Sequence, residues 1–133
     1  MKLETESGGT FNEPQVSDLS AAIRSLDTDG STWAILSKER NDFVQVRRAT
    51  QQDYRVEYHD PNSDDHFAAP ESLTIEQAQR LFADFHAGGT HWKTMATFQP
   101  TELKSRSGCA GRSAAAIAVV LGLGIWVATR QLF

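Results

Sequence analysis

Two histidines, His59 and His66, flank the run Asp60-Pro61-Asn62-Ser63-Asp64-Asp65, where the residue types come nearest to chemistry. If that run is a turn, the strands on either side bring both imidazoles beside Asp64 and Asp65. Such a His/carboxylate set is of the kind that holds a first-row metal. The simpler reading is two ordinary surface histidines on neighbouring strands, and it is preferred. The remaining histidines are His86 and His91. G-x-S-x-G, a phosphate-binding glycine loop, H-E-x-x-H, and H-x-E with P-C-x-x-C are all missing. The stretch Asp27-Thr28-Asp29-Gly30 lacks the rest of the D-x-D-x-D-G series and its later glutamate, so a turn is expected there rather than a calcium loop. A protein without catalysis, metal or cofactor is the expectation.

Charge says more. Between Gln51 and Gln79 stand Asp53, Glu57, Asp60, Asp64, Asp65, Glu71 and Glu76, against the single Arg55. A solvated polar face explains such a run, and so does a docking surface for a basic partner, where complementary potential speeds encounter and sets specificity. Direct nucleic-acid binding is disfavoured by the same charge. The basic pair Arg47-Arg48 reads as a cross-strand partner for Glu57 or its neighbours. The candidate partner-binding residues are Glu57, His59, Asp60, Asp64, Asp65 and Trp92. Trp92, with Tyr54 and Tyr58, equally suits the core, which is the simpler role for all three.

These residues need elements to place them. Residues 1–13 read as a flexible tail, with Thr10-Phe11 able to add a short edge strand. A first helix is expected from near Ser17, after Pro14 and with Asp18 in its first turn, burying Leu19, Ile23 and Leu26. Thr32 to Ser37, Phe43 to Ala49, Tyr54 to His59 and His66 to Ala69 read as four strands of one antiparallel meander. The third alternates most cleanly, with Tyr54, Val56 and Tyr58 inward. Thr74 with Gln77 forms a capping box and Gly88-Gly89 a stop, framing a helix whose Ile75, Ala78, Leu81, Phe82 and Phe85 share one face. His91 to Phe98 reads as a last strand ending at Pro100. The order α-β-β-β-β-α-β describes a two-layer α+β domain over residues 14–100, with helices on one face of the sheet.

The C-terminal quarter differs in kind. Ser113 to Thr129 is seventeen residues without a charge and apolar on every side. As a helix it is about 25 Å long, and about 31 Å if continued to Phe133, against a bilayer core of about 30 Å. Residues 113–133 are therefore expected to be a transmembrane anchor, the alternative being a buried C-terminal helix. Trp126 and Arg130 suit the interface at one end. Ala114, Ala118 and Gly122 form a small-residue ridge that would permit a helix homodimer. Residues 101–112 form a basic linker. Its Cys109 is the single cysteine, which excludes an intramolecular disulfide and leaves a free thiol or, alternatively, a palmitoylation site. Residues 1–103 hold nine Lys/Arg and seventeen Asp/Glu, a net charge of −8, while residues 104–133 hold four Lys/Arg and no acid. With no apolar run near the N-terminus, the pattern reads as a single-pass, tail-anchored protein of a bacterial inner membrane with its domain in the cytoplasm.

The succession TWAILSKERNDFVQVRR, YRVEYHDPNSDDHFAA and SLTIEQAQRLFADFHAGGTHWK resembles the first-numbered immunity-protein family of bacterial polymorphic toxin systems. The likeness spans roughly residues 15 to 98 and rests on pattern more than on a rigid motif, with Trp92 matching a tryptophan near the family's C-terminal end. It implies a small α+β protein that binds and blocks a cognate toxin, often of the nucleic-acid deaminase type. The C-terminal span departs from that pattern. The competing expectation is a tail-anchored adaptor or regulatory module that recruits a cytosolic partner.

Overall fold

The computed structural model of the 133-residue chain describes residues 1–101. Its elements are β1 (Lys2–Thr5), β2 (Thr10–Asn12), α1 (Val16–Arg24), β3 (Trp33–Glu39), β4 (Asp42–Arg48), β5 (Tyr54–Asp60), β6 (Asp65–Ala68), α2 (Ile75–His86), a 3-10 helix (His91–Thr94) and β7 (Gln99–Pro100). The strands form one seven-stranded sheet in the order β2-β1-β3-β4-β5-β6-β7, and the ladders from β2 through β6 are antiparallel. The α+β class and the β3–β6 meander agree with the sequence pattern.

One face of the sheet is closed by the helices. Leu3, Ala34, Leu36, Val44, Val46, Tyr54, Val56 and Tyr58 share a core cluster with Leu19, Ile23 and Leu26 around α1 and with Ala78, Leu81, Phe82 and Phe85 of α2. Alternation on the strands and spacings of three and four on the helices put these side chains on facing surfaces. Each helix also has a built start. The Gln15 amide donates to Asp18 Oδ2 at 2.8 Å ahead of α1. At α2, Gln77 N donates to Thr74 Oγ1 at 3.2 Å and Thr74 N to Gln77 Oε1 at 2.8 Å, the reciprocal pair of a capping box. Gly88, at φ +85°, lets the chain turn away from α2.

The expected element order fails at both ends. The edge strand that Thr10-Phe11 allowed is present as β2, but the rest of the expected flexible tail is not a tail: Lys2–Thr5 forms β1, which lies between β2 and β3 in the sheet. Leu3 opposite Leu36 is fully buried, and the Met1 ammonium meets Glu13 Oε2 at 2.8 Å. One apolar residue in four carries no readable period, yet it fills the inner face of a strand that β3 needs on its free side.

The last strand, expected over His91 to Phe98, is a 3-10 turn followed by the two-residue β7. Asp84 of α2 captures the Trp92 amide at 2.8 Å, and Gly89 N donates to the Asp84 carbonyl at 2.9 Å. A Cβ on Gly89 would come within 2.5 Å of the Asp84 carboxylate, so glycine is needed for this approach. Tertiary capture of Trp92 overrides the strand-like alternation.

Among the described residues no helix is long and apolar enough to cross a membrane. The expected linker from residue 102, Cys109, and the expected anchor with Ala114, Ala118, Gly122, Trp126 and Arg130 lie outside the described residues.

Candidate functional site

The acidic turn joins β5 to β6 at one end of the sheet. Its backbone explains much of its composition. Asp60 accepts the Asn62 amide on Oδ1 at 2.9 Å, a local Asx turn, and its carbonyl accepts the Asp64 amide at 2.8 Å. Asp64 sits at φ +60°, a left-handed conformation that Asp and Asn tolerate better than other side-chain-bearing residues. Ser63 Oγ then accepts the Asp65 amide at 3.3 Å. Asp60 and Asp65 close the ladder as cross-strand partners, and the Asp64 side chain is 85% exposed.

The next position along the ladder pairs His59 with His66, so the hairpin does bring the two histidines together. Their ring centroids are 6.3 Å apart, and Phe43 of β4 stacks on His59 at 5.7 Å. Each imidazole has a carboxylate of its own. His66 Nε2 lies 2.7 Å from Glu57 Oε1, and His59 Nε2 lies 3.1 Å from Asp64 Oδ1. The second nitrogen of His59 faces the Asn41 carbonyl at 2.6 Å, in the turn between β3 and β4. The four side chains thus form two separate pairs rather than one convergent donor set. Among the described residues no group of three or more His, Cys, Asp or Glu is placed to hold a metal ion.

No family model, curated protein or solved structure matches this chain. The residues themselves therefore carry the functional argument.

Glu57, His59, Asp60, Asp64 and Asp65 all lie on β5, β6 or the turn between them. Trp92 does not join them. It is 5% exposed and packs edge-on against Tyr58 at 4.8 Å and Phe85 at 5.5 Å, with Phe98 at 6.2 Å. Tyr54 and Tyr58 are buried beside it in the same cluster, the core role the sequence favoured. Burial, with the charge of Asp60 adding to it, holds the Tyr58 phenol above its ordinary pKa.

The ladder sets neither Arg47 nor Arg48 directly opposite Glu57. Arg47 stands opposite Arg55 in the ladder, and Glu57 opposite Gln45 and Ala68. Arg48 instead turns to main chain, where its guanidinium donates to the carbonyls of Leu26 at 2.7 Å, Thr50 at 3.3 Å and Gln51 at 2.6 Å. It locks the end of α1 to the loop ahead of β5. No local pattern marks such a contact in the sequence, because its acceptors are backbone groups.

Trp33 and Gln45 form a second group the sequence did not single out. The ladder puts them on the sheet face opposite the helices, with Trp33 beside Arg47 and Gln45 beside Ile35. They are 6% and 2% exposed, and neither Trp33 Nε1 nor Gln45 Nε2 has a hydrogen-bond partner among the described residues.

Proposed function

We propose that the protein is a non-enzymatic, immunity-type inhibitor that binds and occludes a cognate bacterial toxin with a basic surface. A nucleic-acid deaminase domain is the fitting target class, because its cleft must attract phosphates. The observation that carries this reading is the β5–β6 turn, which displays the Asp64 carboxylate in a backbone conformation set by its own hydrogen bonds. A pre-organised acidic projection loses little conformational freedom on entering a basic cleft. Residues 113–133 would hold the domain at the inner membrane, on the cytoplasmic side.

Survival of cells expressing the toxin tests this reading. Converting Asp64 and Asp65 together to lysine should abolish protection. Lysine at the left-handed position 64 also strains the turn by about 1–2 kcal/mol. Asp64→Asn with Asp65→Asn is therefore the companion variant, since asparagine tolerates that backbone and removes only the charge. Full protection by both variants would discard the acidic turn as the binding element.

A further inference from the structure

His59 makes contacts that a neutral imidazole cannot satisfy together. Nδ1 lies 2.6 Å from the Asn41 carbonyl, and Nε2 lies 3.1 Å from Asp64 Oδ1. Both oxygens, one a main-chain carbonyl and one an ionised carboxylate, only accept. A neutral imidazole offers one N–H and one lone pair, so one contact would set a lone pair against an oxygen. The imidazolium donates at both. The ring is 16% exposed and stacked on Phe43, which holds it in the plane that reaches both acceptors.

We propose that His59 is a proton-operated latch between the β3–β4 turn and the β5–β6 turn. Doubly protonated, it ties the Asn41 carbonyl to Asp64 and holds the acidic turn against its neighbour. When one proton leaves to solvent, the Asp64 contact is the one that opens. The Asp64 carboxylate is 85% exposed and recovers water at once, whereas the shorter contact to Asn41 keeps the remaining N–H.

Titratable and charged groups lie near His59 in the strand order. On its own strand His59 is flanked by Glu57 and Asp60. From β4 and the turn before it come Asp42 and Arg40, and from β6 and its turn come His66, Asp65 and Asp64. Glu57 is engaged by His66 at 2.7 Å, so that histidine brings its own counter-charge and leaves Asp64 to His59. The latch concerns the geometry of the hairpin and stands whether the partner is a toxin or not.

Nuclear magnetic resonance of the full-length protein in detergent micelles tests it, following the histidine ring nitrogens and the backbone amides of residues 60–65 along a pH series. The expected result is that both ring nitrogens of His59 carry protons at the acidic end, and that the turn amides shift together with the loss of one. His59→Phe keeps the stack on Phe43 and removes both donors, and should abolish that shift. His66→Phe should leave it in place. Asp64→Asn, which preserves the left-handed turn, should uncouple the amides from His59 even if the His59 variant fails to fold. Turn amides that ignore the His59 proton in the wild type would overturn the latch, as would a response that follows His66 instead.

Discussion

Tyr54, Val56 and Tyr58 leave one side of β5 and enter a closed apolar core, while Arg55, Glu57 and His59 leave the other side and meet charges, an imidazole and solvent. One seven-residue strand thus serves two environments. The core face gains its energy from area removed from water, which is non-directional and large. The outer face is held by a few directed contacts, each individually modest. Core substitutions should therefore change whether the domain folds. Substitutions at the acidic end should change what it binds while leaving the fold alone.

The strongest way to break this contrast is to hollow the core. Phe82→Ala removes a fully buried ring and should cost about 3–5 kcal/mol, read from the denaturant midpoint at unchanged slope. On a domain whose whole stability is expected at about 5–15 kcal/mol, that approaches unfolding. Arg48→Met keeps the stem but strands the carbonyls of Leu26, Thr50 and Gln51, and should cost about 1–3 kcal/mol by the same measurement. Thr74→Ala removes the cap of α2 and should cost about 1 kcal/mol.

Asp64→Asn, at the other extreme, should stay within about 0.5 kcal/mol of the wild type in stability while reducing partner affinity. A large loss of stability there would erase the division between the two faces.

Tyr58 makes the core face sensitive to pH. Its phenol pKa is raised in the folded state, so the unfolded chain releases that proton first as pH rises. The associated stability is present in full below about pH 10 and is lost as pH climbs through the folded value. Tyr58→Phe should flatten that alkaline loss in a stability-against-pH series.

The same division explains what could be read in the sequence. Tyr54 to Asp60 alternates because one face is dry and the other wet, so the strand and its inward residues were legible. Helix α2 was legible because Thr74 and Gln77 advertise its start and Gly88 its stop. The histidine pairing followed from a recognisable turn. Leu3 was not legible, since four residues with a single apolar member resemble a tail. Nor was the turn at Trp92, where an alternating pattern arises from residues that reach one core by separate routes. Asp84 sets that outcome from eight residues away, through a contact with a backbone amide. Arg48 escaped for the same reason.

The central claim is that the acidic turn recognises a basic protein partner. Affinity capture with the full-length protein from detergent-solubilised native membranes, run beside Asp64→Asn with Asp65→Asn, tests it most directly. The account predicts that the wild type retains a basic toxin domain in stoichiometric amount and that the double variant loses it at equal expression. Retention of a signalling or housekeeping protein in its place, or equal capture by both forms, would contradict it.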